Sequence, residues 1–222
     1  MPMNYKRIIL FAGHYGSGKT NVAVNVALHL QKERGNVTIA DLDIVNPYFR
    51  TEDSREELAQ AGIRLICSEY AGTNLDAPAL PPEMYAITDD RSMTAIMDIG
   101  GDDRGALALG RYTPAILEEN DYEMLLIING YRPLTRDAAS TLEIIREIEA
   151  AGGIPFTAIV NNSNLGEETD AETVLASLAY AEEISAATGL PIKMTTVREE
   201  LFEELKDRIP NLFPLTLQYK IK

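Results

Sequence analysis

Gly13-His14-Tyr15-Gly16-Ser17-Gly18-Lys19-Thr20 spells G-x-x-x-x-G-K-[ST], a pattern that few folds can accommodate. The apolar run from Arg7 to Ala12 precedes it, and a helix-forming stretch from Asn21 to Arg34 follows at once. Strand, glycine loop and helix in that order make a cradle for phosphate. Glycines let successive backbone N–H groups turn inward without Cβ clashes. In this pattern Lys19 reaches the β- and γ-phosphates, and the Thr20 hydroxyl holds Mg²⁺. The positive end of the helix dipole falls at the same point. The chain is therefore expected to bind a nucleoside triphosphate, with the residues from Gly13 to Thr20, and Asn21 after them, around the phosphates.

The rest of the chain alternates strand-like and helical runs. Strands are expected at 7–12, 37–41, 63–67, 95–98, 123–128, 156–160 and 192–197. Several are continuously apolar, as befits a sheet with helices on both faces. Helices are clearest at 20–34, 136–151, 171–187 and 199–207. Thr135 is the expected cap of the second, and Thr169 with Glu172 makes a capping box for the third. This alternation predicts an α/β fold with a doubly wound, mostly parallel sheet, and the length of 222 residues fits a single domain over 1–222. The irregular stretch Ser68–Pro82 is long enough to be functional.

Acidic residues cluster at expected strand ends. Asp41-Leu42-Asp43 places two carboxylates on one side of the second strand, beside the triphosphate, where they need Mg²⁺ or an attacking water between them. The fourth strand ends in Asp98-Ile99-Gly100-Gly101-Asp102-Asp103, an apolar strand closing on a metal-holding aspartate. Its glycines let the backbone approach a γ-phosphate. After the sixth strand comes Asn161-Asn162-Ser163-Asn164, where GTPases carry N-K-x-D. Asn164 replaces the guanine-binding aspartate, and an amide does not demand guanine. Asn161 or Asn162 suits the N6/N1 edge of adenine, so ATP is expected over GTP.

The series GHYGSGKT, DLDIVNP, DIGG and NNSN resembles the MinD/ParA branch of P-loop NTPases, which includes the CobQ/CobB nucleotide-binding domains. The likeness spans the chain from about Arg7 to Val197. It implies a P-loop NTPase sheet of about seven or eight strands, ATP with Mg²⁺, and dimerisation around two nucleotides. It also implies roles for individual residues. Thr20 is the Mg²⁺ ligand and Asp43 the water-orienting carboxylate, also at the metal. Asp98 is the switch acid, Lys19 the catalytic cation, and Asn161 or Asn162 the adenine contact. One position departs from the pattern: His14 stands where the branch carries a second lysine that reaches the dimer partner's phosphate. An imidazole supplies little fixed positive charge at neutral pH. Arg50, Arg104 and Arg111 are the candidates to replace it.

Composition narrows the function. With 20 basic against 34 acidic residues the net charge is −14, which disfavours nucleic acid and anionic lipid. No apolar stretch is long enough to span a membrane, and the N-terminal residues show no signal-peptide pattern, so a cytoplasmic protein is expected. A single cysteine, Cys67, read as a buried thiol, excludes a C-x-x-C metal site and the paired cysteines of iron–sulfur relatives. The tail from Leu212 to Tyr219 contains Pro214 and reads as an edge strand or docking segment, not a membrane helix. Two readings follow. The first is a nucleotide switch acting on a protein partner. The alternative is an ATP-dependent ligase or kinase similar to dethiobiotin synthetase or CobB-type enzymes, acting on a small carboxylate. Tyr15, Tyr48, Tyr70, Tyr112 and Tyr131, all in expected loops, are candidates to line one groove.

Overall fold

The computed structural model describes residues 3–43, 51–67, 81–101 and 103–217, with Asp103 and Arg104 described by backbone alone. Its centre is β1 (Ile8–Ala12), every residue of which is buried. Alternation sends Ile8 and Leu10 to one apolar cluster and Ile9 and Phe11 to the other. Such a strand needs cover on both faces. The first cover is α1 (Lys19–Arg34), which lays Val22, Ala23, Val26 and Leu30 over Ile9 and Phe11.

From β1 the chain builds one side of the sheet. β2 (Val37–Leu42) is followed by α2 (Arg55–Gln60), β3 (Arg64–Ile66), α3 (Ala86–Asp89) and β4 (Thr94–Ile99). It then crosses β1 and builds the other side. This half runs through α4 (Asp103–Leu109), α5 (Thr113–Glu119), β5 (Tyr122–Ile128), α6 (Ala138–Gly152), β6 (Ala158–Asn161), α7 (Ala171–Thr188), β7 (Ile192–Arg198), α8 (Glu199–Leu205) and β8 (Leu212–Leu215). The eight strands lie in the order β3-β2-β4-β1-β5-β6-β7-β8, and every neighbouring pair is parallel. This is the doubly wound α/β sheet of the P-loop NTPase fold. Strand order reverses at β1, so a crevice opens beyond its carboxyl end, where ligands bind in such sheets.

The expected strands are all present, within a few residues. The sixth begins later than expected because the Phe156 N–H is spent on the Glu149 carboxylate at 2.8 Å, which leaves the sheet to begin at Ala158. The eighth strand, β8, pairs with β7 along the edge, where a proline such as Pro214 is tolerated. Asn25 of α1 clamps the residue after it, donating to the Thr216 carbonyl at 3.0 Å and accepting from the Thr216 N–H at 2.9 Å.

Both expected caps are corrected. The Thr135 hydroxyl donates to the Asn129 carbonyl at 2.8 Å, and Asp137 caps α6 by accepting from the Ser140 N–H at 2.9 Å. The Thr169 hydroxyl donates to the Gly166 carbonyl at 2.7 Å, and Asp170 caps α7 through the Thr173 N–H at 2.8 Å. In each case the threonine serves its own loop and the next aspartate is free to cap. Helices α2 to α5 have seven residues or fewer and are too short to show periodicity. Among the described residues no helix is long and apolar enough to cross a membrane.

Candidate functional site

The glycine loop leaves β1 at Ala12 and enters α1 at Lys19. The Ser17 N–H closes a turn onto the His14 carbonyl at 3.1 Å. Gly18 has φ of 89°, and a Cβ there would lie 2.3 Å from Asn162 Nδ2, so both backbone and space require glycine. Lys19 is only 4% exposed, and its charge bears on the buried Asp98 carboxyl. The Ser17 hydroxyl oxygen is buried without a partner among the described residues. A largely buried lysine in a glycine loop at a helix N-terminus fits a phosphate group.

The acidic side of the site comes from β2 and β4, which pair with Asp41 opposite Asp98. Asp98 is fully buried. Its Oδ2 accepts from the Thr20 hydroxyl at 2.6 Å and from the Thr51 hydroxyl at 2.9 Å, while its Oδ1 is buried with no hydrogen bond among the described residues. Burial pushes the Asp98 carboxyl above the usual carboxylate range. The Lys19 charge and the Thr20 hydroxyl oppose that, neighbouring Asp43 adds to it, and the Thr51 hydroxyl opposes it again. Asp43 follows β2, and its N–H donates to Asp41 Oδ1 at 2.9 Å. Among the described residues no cluster of three His, Cys, Asp or Glu could hold a metal. One hydroxyl, one unpartnered carboxylate oxygen and a nearby second carboxylate suit Mg²⁺, which keeps several waters and is completed by substrate phosphates. Thr20 and Asp98 thus meet directly, with Asp43 beside them.

The glycines after β4 join the two halves. A Cβ on Gly101 would lie 2.7 Å from the Tyr15 backbone nitrogen and 3.1 Å from the Gly13 carbonyl oxygen. Gly100 packs on the backbone of Asp43 and of Gly105. Gly101 therefore lies against the main chain of the loop.

A cavity of about 540 Å³ runs from Gly16, Lys19 and Thr20 to Asn164, Glu167 and Leu217. Tyr15, Gly18, Asn21 and Asn162 also line it, whereas Gly13, His14, Ser17 and Asn161 do not. The asparagines are placed otherwise than their sequence suggests. Asn162 donates from Nδ2 to the Ser17 carbonyl at 2.6 Å and accepts at Oδ1 from the Thr196 hydroxyl at 2.6 Å. Asn161, fully buried, donates to the Ser177 hydroxyl at 2.9 Å and accepts from the Ser163 N–H at 3.2 Å. Asn164 donates to the Asn162 carbonyl at 2.7 Å and accepts from the Gly166 N–H at 3.0 Å. All three amides hold the loops together. Donors and acceptors at a strand end are visible in a sequence; where they are spent is not.

Other expectations separate. Tyr15 lines the cavity, but Tyr112 is core, 2% exposed, and Tyr131 donates its hydroxyl to the Thr173 carbonyl at 2.7 Å, so these three share no groove. Cys67 is partly buried and accepts from Arg55 at 2.9 Å, and burial pushes its thiol pKa up. Arg111 is exposed between α4 and α5. Tyr48, Arg50, Tyr70, Asp102, most of the stretch 68–82 and the end of the tail lie outside the described residues, as does the Arg104 side chain. Thr51 and Thr196 are among the site residues that the sequence did not mark. Neither sits in a motif, and their only signal is a hydroxyl near the end of a strand or the start of a turn.

No protein-family model matches the chain, and no curated protein does. Solved structures of similar fold exist. Cell division protein FtsY from Thermotoga maritima aligns with a TM-score of 0.59 at 19% identity, over 90% of this chain and 64% of that one. Signal recognition particle receptor FtsY from Elizabethkingia anophelis, in complex with GDP, aligns at 0.54 and 16%, over 90% and 59%. The signal recognition particle 54 kDa protein from Aeropyrum pernix K1, also in complex with GDP, aligns at 0.54 and 17%, over 88% and 42%. The chain spans about three fifths of the length of these FtsY structures. At such identity the likeness is one of fold, that of the P-loop NTPases.

Proposed function

We propose that this chain is a Mg²⁺-dependent, nucleoside triphosphate-binding P-loop protein, one domain over 1–222, whose hydrolysis cycle acts as a switch on a protein partner. The observation that carries this reading is the glycine loop at the start of α1, with Lys19 only 4% exposed and its charge bearing on the buried Asp98. In this reading the loop amides and Lys19 hold the phosphates, and Thr20 with Asp98 and Asp43 holds Mg²⁺. The ion would neutralise the phosphate charge. The contact of Gly101 with the loop supports a switch, because a change at the phosphates would be felt by the segment after β4. We keep the MinD/ParA-like assignment as part of the proposal. Dimerisation around the nucleotide would need a cation other than His14.

For the base, ATP is our reading. Asn164 spends its amide on the loop, and no carboxylate stands at that position to accept from guanine N1–H and N2–H. GTP is the second reading, supported by the GDP complexes of similar fold and by Glu167, a carboxylate at the far end of the cavity. The ATP-dependent ligase or kinase stays the alternative, since a tyrosine-lined groove would have suited either reading and Tyr112 is core.

Calorimetry with ATP and GTP, each with and without Mg²⁺, tests the reading. Saturable one-site binding by the wild type, abolished in Lys19→Ala, is expected. Binding of equal strength in that variant would overturn the site. Tenfold preference for GTP would replace ATP.

A further inference from the structure

We propose that Thr51 is a positioning residue of the cation site, holding Asp98 so that Oδ1 is the oxygen left for the incoming ion. The inference rests on the phosphate-loop reading above. Thr51 opens a short 3-10 turn, Thr51–Ser54, after β2, and it is fully buried although its neighbours Glu52, Asp53 and Arg55 are polar. A threonine in so polar a segment would ordinarily face water. Its hydroxyl instead donates to Asp98 Oδ2 at 2.9 Å, beside the Thr20 hydroxyl at 2.6 Å.

The asymmetry of Asp98 is the argument. A carboxylate has about four acceptor positions over two oxygens. Among the described residues two donors converge on Oδ2, and Oδ1 is buried with none. Two hydroxyls from different elements, α1 and the turn after β2, fix the carboxylate plane as one could not. An oxygen buried and unpartnered costs stability unless something binds it, and a cation or a cation-bound water meets that need. Thr20 is already accounted for as the ligand within the loop. The Thr51 hydroxyl donates to Asp98, and it acts on the site through that carboxylate. Partners of this kind, one step behind a metal ligand, set metal affinity by about 10- to 100-fold.

The test uses the full chain and the fluorescent analogues mant-ATP and mant-GTP in parallel, titrated in EDTA and then against Mg²⁺. Thr51→Val removes the hydroxyl at nearly constant shape, and Thr51→Ser retains it. In Thr51→Val, binding in EDTA is expected to stay within about twofold of wild type, while the Mg²⁺ concentration for half-maximal response rises about tenfold. Thr51→Ser should restore the Mg²⁺ response to within about twofold. An unchanged Mg²⁺ response in Thr51→Val overturns the assignment. Equal impairment of the Ser and Val variants, or a loss already present in EDTA, overturns it too, since either marks a packing role. If Thr51→Val does not fold, as judged by circular dichroism, the Ser variant decides alone: a wild-type Mg²⁺ response supports the assignment and a weakened one overturns it. Wild-type protein that binds neither analogue overturns the phosphate-loop reading itself, which distinguishes that failure from this one.

Discussion

Asn162 Nδ2 donates to the Ser17 carbonyl oxygen over 2.6 Å, across 145 positions of sequence, and so pins the glycine loop to the end of β6. Its Oδ1 is held in turn by the Thr196 hydroxyl. Asn162→Asp would set a carboxylate oxygen against a carbonyl and leave the carbonyl unpaired. A lost buried hydrogen bond of this type costs about 1–3 kcal/mol. We expect Asn162→Asp to weaken triphosphate binding by roughly 10- to 100-fold and Asn162→Ala by less. Calorimetric titration checks the order, and equal affinities in all three proteins would remove Asn162 from the loop's support.

Gly101 has no room for a side chain. A Cβ 2.7 Å from the Tyr15 nitrogen forces the loop or the segment after β4 to move. Overpacking of this kind costs about 1–3 kcal/mol. Gly101→Ala should keep the fold and lose nucleotide affinity and its Mg²⁺ dependence together. A variant with wild-type binding curves would show that the two segments do not need their contact.

Asp43 lies beyond β2, buried beside Asp98 and packed against Gly100. Because positioning and electrostatics dominate phosphoryl transfer, Asp43→Asn should leave nucleotide bound and slow hydrolysis by roughly 100-fold. Single-turnover phosphate release under saturating Mg²⁺ and nucleotide measures this. Undiminished turnover would exclude Asp43 from the reaction.

Far from the site, Arg7 holds Glu119 in a two-pronged ion pair, with NH2 to Oε2 at 2.6 Å, and also donates to the Ile87 carbonyl at 3.0 Å. The two side chains are 9% and 8% exposed. Hydrogen bonding from Arg7 holds the Glu119 pKa below its ordinary 4.5, against the opposing effect of burial. A depressed carboxylate contributes stability that is complete above pH 4.5 and is lost as pH falls through the folded-state value. Glu119→Gln leaves Arg7 buried and unpaired, and should cost about 3 kcal/mol at pH 7. Below pH 4.5 the gap between variant and wild type should narrow, as thermal melts at pH 7 and pH 3.5 will show. A gap independent of pH would mean that packing, not charge, holds this corner.

Local chemistry makes much of this protein readable in its sequence. The phosphate loop is contiguous, and its glycines, Lys19 and Thr20 must act together because eight successive residues cannot separate. Strands such as β1 and β4 are apolar on both faces, and only a sheet covered twice can bury them. What required the fold was every partnership between distant residues. Hydrogen-bonding capacity belongs to a side chain, but its use depends on which atoms arrive opposite it. Asn161 looked like a base reader and was taken up by Ser177, and Thr135 looked like a cap and was taken up by Asn129. Thr51 carried no signal until folding set it against Asp98, 47 positions away. Sequence states which groups need partners; only packing assigns them, since burial turns an optional hydrogen bond into an obligatory one.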